Sequence, residues 1–397
     1  MAAPALALPV APARRPGAAW VIGPTSDLAF LIGGALVAYG FLAAHLLFGV
    51  AAVTLYMAWV LAIDGPHVFA TLSRTYLDRD ERAARASLLW GSLAFYALGP
   101  ATVGLSILAG HRLPYDVFLT VCTIWAYWHV VRQHYGVMVL YQRKADEHDP
   151  ADDRADRLFL YVGLLAPIAG FACNNARTLA MVGLDAPPPW ASVGSSVAWL
   201  MVGGAALLLV ARQVVRARAG LPIHWTKLLF LTAATSVSIV LFAPPVAARI
   251  DYAAIVPIVT SFHDVQYLAI VWFFHRNRRD DRQGRSMTAP AFMHRLPVFL
   301  ALGLGFTLVY RVGLGCLFSA WPGCDVGAEE MALPAGLTVS DLGIGFLWGF
   351  ALQHYYLDQR IWHVRRDPAL GRDLRLDAAS YVDNHAKRSR KAGMPAK

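Results

Sequence analysis

The chain has 397 residues, of which 57% are hydrophobic and only 15% are charged, whereas an average soluble domain has roughly 25% charged residues. This composition excludes a disordered protein. The formal net charge of +9 does not indicate nucleic-acid binding, because the basic residues stand in short loops between apolar segments and form no interleaved patch. Apolar runs of roughly 20 residues, each long enough to cross about 30 Å of hydrocarbon, predict a polytopic integral membrane protein.

The apolar runs predict an all-α helix bundle of about ten transmembrane helices, preceded and followed by polar tails. Residues 1–26 are rich in Ala and Pro and are predicted to be a flexible tail, because they lack the apolar core and cleavage pattern of a signal peptide. Residues 27–357 form the transmembrane domain, and residues 358–397 form a basic cytoplasmic tail. The predicted helices are, in order, 28–47, 51–73, 86–109, 117–140, 157–174, 193–211, 226–244, 252–274, 296–318 and 337–357.

Lys and Arg are more numerous in every second loop along the chain. Because these residues accumulate on the cytoplasmic side of a membrane, the pattern predicts that both termini are cytoplasmic. The inner loops are then 74–85, 141–156, 212–225 and 275–295. We therefore expect a multi-pass protein of the plasma (inner) membrane, in contact with membrane lipids.

The four cysteines, Cys122, Cys173, Cys316 and Cys324, are too few and too scattered to predict a disulfide framework or a CxxC metal site.

Polar side chains are concentrated in the even-numbered predicted helices. A buried Asp, Lys or Arg at membrane depth costs about 2.5–3.5 kcal/mol on insertion scales, so each one requires an explanation. The polar strings are DGPHVFATLSRTYLD from Asp64, YWHVVRQHYG from Tyr127, SFHDVQY from Ser261 and LQHYYLD from Leu352. All four helices run from outside to inside in the predicted topology.

Five of these histidines are predicted to share the inner half of the bilayer. His67 precedes the first inner arginine of its helix by seven residues, His134 by nine and His354 by six. At about 1.5 Å of rise per residue, these three lie in one layer. His129 and His263 lie somewhat deeper, 14 and 13 residues before the corresponding arginines. The coincidence in depth predicts one shared pocket.

Helical spacing indicates which side chains point to the same object. Asp64 and His67 are separated by three residues, and His354 and Asp358 by four, so each pair shares a helix face. Carboxylates and imidazoles at these spacings form the metal sites of helix bundles. His129 and His134 are five residues apart, or about 140° around an ideal helix. We therefore expect that both reach one site only if that helix is distorted.

The neighbouring polar residues are assigned supporting roles. Gln133 and Gln266 lie one turn after His129 and His263 and are suited to orient imidazoles or a water. Pro66 removes a backbone hydrogen bond beside His67 and predicts a kink there. Arg311 and Asp341, in the outer half, are interpreted as a structural ion pair.

These considerations give a candidate site with metal ligands and catalytic groups. The first choice of ligands is His67, His134, His263 and His354, and His129 follows. Asp358 and Asp64 are each predicted to be either a carboxylate ligand or a hydrogen-bond acceptor beside the ligands. The candidate catalytic residues are Asp64, Arg132, Asp264 and Gln266, with Arg132 as an internal counterion to Asp64 or Asp264.

Neutral imidazoles and carboxylates suit iron, zinc or copper. The predicted site lies at lipid depth, where the substrates are acyl chains, isoprenoids or carotenoids and where attack on unactivated carbon requires an oxidant. This favours non-haem iron, with one or two ions, together with O2. Zinc hydrolysis remains an alternative with the same ligands.

The motifs DGPH, HVVRQH, FHDVQY and QHYYLD make the chain similar in style to the polytopic histidine-rich membrane oxygenases. In spreading single histidines over several helices it resembles the bacterial carotenoid-cleaving dioxygenases more than the fatty-acid desaturases, whose HxxHH boxes this chain lacks. The motifs do not match a family pattern residue by residue. The resemblance implies iron, O2 and a lipid-soluble substrate, and hence an oxygenase.

Three other functions remain open at this point. His129 and His263 have matching depths and suit axial ligation of a b-type haem. Intramembrane Asp, His and Arg also occur in transporters and proton relays, although the outer half of this chain is nearly bare of polar groups. The last alternative is an inert assembly factor. Oligomeric state is not determined by the sequence, and a homo-oligomer is compatible with it.

Overall fold

The computed structural model describes residues 19–281, 292–324, 331–364 and 367–376, and within them the chain is almost entirely helical. This confirms the all-α prediction. Ten long helices follow one another, and each coincides with one predicted segment. They are α1 (Pro24–Leu46), α2 (Ala52–Arg74), α3 (Ala86–Ala109), α4 (Leu113–Ala145), α5 (Pro150–Ala172), α6 (Ala191–Arg218), α7 (Trp225–Leu241), α8 (Tyr252–Asp281), α9 (Leu296–Leu317) and α10 (Val339–Ile361).

Seven of these helices are long and apolar enough to cross a membrane, namely α1, α2, α3, α5, α6, α8 and α9. The helix α7 has only 17 residues, whereas α4 and α10 carry many of the polar side chains noted in the sequence. A multi-pass membrane protein is therefore supported. The total of ten spans and the cytoplasmic position of both termini stay predictions.

Glycines bring α3 and α10 into backbone contact. A Cβ atom on Gly99 would lie 2.1 Å from the carbonyl oxygen of Gly345, and one on Gly349 would lie 2.7 Å from the Cα atom of Tyr96. Because no side chain larger than hydrogen fits there, the GxxxG spacing of Gly345 and Gly349 does mark close helix packing. This packing fixes α10, which carries part of the polar site.

The helices α2 and α9 are joined in the same way near the predicted kink. Gly303 faces Pro66 and Gly65 faces Thr307, each too closely for an added Cβ atom. A widened π-helical turn at Val60–Asp64 ends two residues before Pro66. Since proline cannot donate a backbone hydrogen bond, α2 lacks one such bond at Pro66, and the sequence predicted a kink there. The structure has this widened turn at that place.

Parts of both predicted tails pack on the bundle. The Asp27 carboxylate accepts hydrogen bonds from the backbone N–H groups of Val21, Ile22 and Gly23 and from the Tyr141 hydroxyl, which anchors the chain just before α1. At the other end a short helix, Pro368–Asp373, follows α10. Leu370, Leu374 and Leu376 belong to the main core cluster, so this stretch is docked. Residues 1–18 and 377–397 of the tails lie outside the described residues.

The connection between α9 and α10 contains the strands Ala332–Leu333 and Leu337–Thr338, which pair antiparallel with Ala332 opposite Thr338. A disulfide joins Cys316, near the end of α9, to Cys324. The sequence predicted no disulfide framework, and this single bridge was not anticipated. Cys122 and Cys173 are free.

Candidate metal centre

Four imidazoles, one from each of α2, α4, α8 and α10, meet inside the bundle. They belong to His67, His129, His263 and His354, which we call the histidine cluster, and one ring nitrogen from each lies within 4.8 Å of the other three. Each residue is 2% or 3% exposed. The predicted convergence of these four helices on one pocket is confirmed. The cluster is of the size and composition that can hold a metal ion.

The four rings are arranged as the corners of a square. Neighbouring centroids are 4.6 Å apart for His67 and His263, 5.0 Å for His263 and His129, 4.8 Å for His129 and His354, and 4.4 Å for His354 and His67. The diagonal from His67 to His129 is longer, at 6.5 Å. Each imidazole therefore has two imidazole neighbours.

Two carboxylates flank opposite edges of this square. Asp264 Oδ1 lies 3.6 Å from His67 Nδ1 and 3.4 Å from His263 Nε2. Asp358 Oδ2 lies 3.8 Å from His129 Nε2 and 3.6 Å from His354 Nε2. These distances are too long for N–H···O hydrogen bonds. The carboxylate oxygens and the imidazole nitrogens instead face each other across a short gap.

The other oxygen of each carboxylate is held by hydrogen-bond donors. Trp59 Nε1 donates to Asp264 Oδ2 at 2.8 Å. The hydroxyl of Tyr267 donates to Asp358 Oδ1 at 2.5 Å, and the hydroxyl of Thr71 donates to the same atom at 2.9 Å. Each carboxylate is thus fixed in orientation, with one oxygen directed at the cluster.

The hydrogen bonds of Thr71 determine the tautomer of His354. Thr71 Oγ1 also lies 2.7 Å from His354 Nδ1 and 2.6 Å from the hydroxyl of Tyr267. Thr71 has a single hydroxyl hydrogen. With that hydrogen donated to Asp358 Oδ1, the donor in the contact between Thr71 and His354 is His354 Nδ1. This leaves the lone pair of His354 on Nε2, which points into the cluster.

Whichever nitrogen of His67 carries the proton, the lone pair on its other nitrogen faces a second hydrogen-bond acceptor. His67 Nε2 lies 2.7 Å from His354 Nε2, and a proton there leaves the His67 Nδ1 lone pair opposite Asp264 Oδ1. A proton on Nδ1 instead sets two lone pairs against each other at 2.7 Å. A bound cation removes this conflict, as does a proton on each of the two His67 nitrogens. In addition, His67 Nδ1, His129 Nε2 and His263 Nδ1 are buried without a hydrogen-bond partner, which is costly unless something binds there.

His134 was a first-choice ligand in the sequence analysis, but the structure places it outside the histidine cluster. Its Nδ1 lies 2.8 Å from the carbonyl oxygen of Val130 in the preceding turn. Its ring packs beside those of Phe262 and Phe230. Because α4 is a regular helix here, the five-residue spacing directs His134 away from the side on which His129 joins the cluster.

The arginines also differ from their predicted roles. Arg132 is not a counterion of Asp64 or Asp264, since it is exposed and donates to the Tyr161 hydroxyl at 2.6 Å. Position 132 follows His129 by three residues, yet its long side chain turns outward along α4. Arg132, which the sequence predicted to be a catalytic residue, therefore lies outside the site.

The predicted pair of Arg311 and Asp341 is likewise wrong, because each has another partner. Arg311 binds Asp64 at 3.4 Å. Asp341 caps the start of α10 by accepting from the backbone N–H of Thr338 at 2.9 Å. Asp64 thus forms an ion pair with α9, whereas Asp264 and Asp358 are the carboxylates beside the imidazoles.

The glutamines serve as helix connectors. Gln133 donates to the carbonyl oxygen of His263 at 2.7 Å and so ties α4 to α8 at the cluster. Gln266 donates to the carbonyl oxygen of Leu31 on α1 at 2.7 Å, and no contact of its amide with the cluster is found among the described residues. Gln133 has the supporting role that its spacing predicted, and Gln266 is placed as a tie to α1.

Sequence reasoning missed the residues that hold the carboxylates, Trp59, Thr71, Tyr267 and Trp362. Trp362 Nε1 donates to the Tyr267 hydroxyl at 3.3 Å and extends the network to the end of α10. A usable signal was present for three of them. Thr71, Tyr267 and Trp362 each follow a site residue, His67, His263 or Asp358, by four positions and so share its helix face.

No protein-family model matches this chain, and no curated protein or solved structure is significantly similar to it. The resemblance to membrane oxygenases stays a prediction.

Proposed function

We propose that this protein is a membrane-embedded, metal-dependent oxidoreductase that holds non-haem iron at the histidine cluster and acts with O2 on a lipid-soluble substrate. One observation carries the proposal, namely the convergence of four buried imidazoles within 4.8 Å of one another inside a bundle with seven helices apolar enough to cross a membrane. The two adjoining carboxylates complete a set of nitrogen and oxygen donors.

The donor set favours iron bound by nitrogen and oxygen over metal centres that prefer sulfur ligands. The cluster and its two flanking carboxylates provide no sulfur, which disfavours Cu(I) and iron–sulfur clusters. Zinc takes the same nitrogen and oxygen donors, and oxygen reactivity separates it from iron in the test below. Mixed imidazole and carboxylate ligation with open positions is typical of non-haem iron that reacts with oxygen.

The spacing of the rings does not favour the haem alternative. An axially ligated haem places a flat macrocycle between two imidazoles. The centroids of His129 and His263, the pair with matching depths, are only 5.0 Å apart. The His354 ring lies 4.8 Å from His129 and the His67 ring lies 4.6 Å from His263, so side chains occupy the space that a macrocycle would need.

The environment of the cluster supports a lipid-soluble substrate. Two of the four helices that carry it, α2 and α8, are themselves apolar enough to cross a membrane, and the cluster itself is buried. Bound iron would activate O2 and supply the oxidising power. The residues of the chain would hold the donors in place, keep water away, and orient His354 and Asp358 through Thr71 and Tyr267. Asp64 and Arg311 neutralise each other, which weakens the transporter alternative.

The test is the metal content and the oxygen reactivity of the detergent-purified protein. We expect iron in protein from iron-supplied cells, and consumption of O2 after anaerobic loading with Fe(II). Zinc-loaded protein is the redox-inert control. A membrane lipid extract should increase the consumption of O2 if it contains the substrate.

Substitution variants locate the activity at the cluster. Alanine at His67, His129, His263 or His354 should lower the iron content of the purified protein. His134→Ala should leave it unchanged, because His134 is buried on the same helix as His129 but outside the cluster. A parent protein that neither contains nor takes up metal would refute the proposal. Tight zinc binding without any oxygen reactivity would indicate a hydrolytic enzyme instead, and a Soret band would indicate haem.

A further inference from the structure

The histidine cluster divides into two halves of equal composition. One half contains His67 and His263 with Asp264 beside them, and the other contains His129 and His354 with Asp358 beside them. The two carboxylates flank opposite edges of the square of rings. Each half therefore offers two imidazole nitrogens and one carboxylate oxygen.

The distances within each half are close to those between ligands of one ion. Two atoms bound at about 2.1 Å to the same ion are roughly 3.0 Å apart at a right angle and about 3.4 Å apart at the tetrahedral angle. The nitrogen-to-oxygen distances are 3.4 and 3.6 Å in the first half and 3.6 and 3.8 Å in the second. Each set can meet at one ion once His354 Nε2 moves away from His67 Nε2, which lies 2.7 Å from it.

A single central ion explains the carboxylates less well. Carboxylates that support the imidazole ligands of one ion accept a hydrogen bond from the outer ring nitrogen. Here the oxygens of Asp264 and Asp358 stand beyond hydrogen-bond distance from the imidazole nitrogens. His67 Nδ1 and His129 Nε2, which face these oxygens, have no hydrogen-bond partner. The oxygens and nitrogens thus occupy the positions of joint ligands.

We infer that the histidine cluster is a two-metal site, in which His67, His263 and Asp264 hold one ion and His129, His354 and Asp358 hold the other. The inference rests on the proposed metal-dependent function and specifies its stoichiometry. Two ions about 3.5–4 Å apart are a common arrangement in metalloenzymes that bind one substrate atom between them. The two halves are close enough for such a pair, because neighbouring rings across the divide have centroids 4.4 and 5.0 Å apart.

The experiment measures the number of ions per chain and their mutual distance. Purified protein is freed of metal with a chelator and reconstituted with Fe(II) or Mn(II), and the bound metal is measured against protein concentration. We expect two ions per chain. In the manganese-loaded protein we expect the electron paramagnetic resonance spectrum of a coupled pair.

Two variants assign the halves, and a third controls for the change in charge. Asp264→Asn and Asp358→Asn should each reduce the metal content to one ion per chain and abolish the coupled spectrum. Asp341→Asn should retain two ions, because Asp341 lies at the far end of the helix that carries Asp358. Circular dichroism and the gel-filtration profile report whether each variant is folded.

The outcomes separate this inference from the proposed function. One ion per chain with an uncoupled spectrum would overturn the two-metal site and leave the metal-dependent function standing. No bound metal would overturn both. Two ions that both persist in the two aspartate variants would show that the carboxylates are not ligands, and the assignment of the halves would be wrong. If either variant fails to fold, the stoichiometry and spectrum of the parent protein still decide between one ion and two.

Discussion

His129 and His134 lie five residues apart on α4, and only His129 contacts the other imidazoles. The ring of His129 is 5.0 Å from that of His263, whereas His134 packs beside Phe230 and Phe262. The two histidines thus provide a matched comparison of a cluster residue and a structural residue. They are equally buried, at 3% and 2% exposure.

We predict that His129→Ala lowers the metal content of the purified protein by at least one ion per chain, while His134→Ala leaves it unchanged. Both variants lose a buried ring, and we expect each to be destabilised by about 2–4 kcal/mol. Elemental analysis and thermal unfolding in detergent measure the two effects separately. Equal losses of metal in the two variants would contradict the placement of His134 outside the site.

Thr71 is predicted to act on metal binding through His354 and Asp358. Thr71→Val removes the hydroxyl that fixes both residues but keeps the shape of the side chain, so we expect the metal dissociation constant to rise about 10- to 100-fold. Thr71→Ser should restore the affinity, because serine keeps the hydroxyl.

The control for this prediction is Thr235→Val. Thr235 is also buried, and its hydroxyl donates to the carbonyl oxygen of Leu231 within α7. Competition with a chelator of known affinity measures the dissociation constant. A Thr71→Val protein that binds metal as tightly as the Thr235→Val protein would show that the network does not position the ligands.

The contact of α3 with α10 should tolerate no added side chain. A Cβ atom on Gly99 would meet the carbonyl oxygen of Gly345 at 2.1 Å, so we expect Gly99→Ala to destabilise the protein by about 1–3 kcal/mol through displacement of the backbone. On the same helix, a Cβ atom on Gly104 meets nothing within 4 Å.

Gly104→Ala is consequently the matched control, and we expect it to be neutral or stabilising by roughly 0.5–1 kcal/mol. The melting temperatures in detergent compare the two variants. The packing described for α3 and α10 is wrong if both alanines have the same effect.

The loop between α4 and α5 should make stability depend on acid pH. Burial by itself would raise the pKa of the Glu147 carboxyl, but the hydrogen bond with His224 and the charge of Lys227 outweigh burial and lower this pKa to about 2. Lys227 Nζ donates to Glu147 Oε2 at 2.5 Å. Because the folded protein has the lower pKa, Glu147 stabilises it above the ordinary value of 4.5, and this contribution is lost as the pH falls from 4.5 towards 2.

We therefore expect Glu147→Gln to lower the stability at neutral pH and to flatten its decline below pH 4.5 relative to the parent. The exposed loop residue Asp185 provides the control, and Asp185→Asn should follow the parent. Melting temperatures across this range give the comparison. An unchanged slope in Glu147→Gln would assign the acid sensitivity to other carboxylates.

The fold could be predicted from the sequence because apolar length and loop charge act locally. All ten predicted segments became helices. The two adjacent layers predicted for His67, His134 and His354 and for His129 and His263 correctly indicated a common pocket for four of these five residues. A depth estimated by counting residues contains no information about the rotation of a helix around its axis. For this reason His134 was placed ahead of His129 as a predicted ligand. The side on which each helix packs depends on contacts such as that of Gly99 with Gly345, which pair residues far apart in sequence.

The ion pairs could not be predicted from the sequence for the same reason. Arg311 has two aspartates within plausible reach along the membrane normal, and only the packing of α2 against α9 selects Asp64 as its partner. Asp64 and His67 share a helix spacing that suits a metal site, but this spacing does not say what lies opposite each side chain. The roles of Asp264 and Asp358 depended on the tertiary neighbours Trp59 and Tyr267.

The six proposed ligands are spread along the chain from His67 to Asp358, and each half of the site contains residues from two helices. The second half needs α10, which follows α2, α4 and α8 along the chain. The proposed second ion can therefore be bound only after α10 has been synthesised and has joined the bundle. Truncation before α10 would leave the Asp264 half without its counterpart.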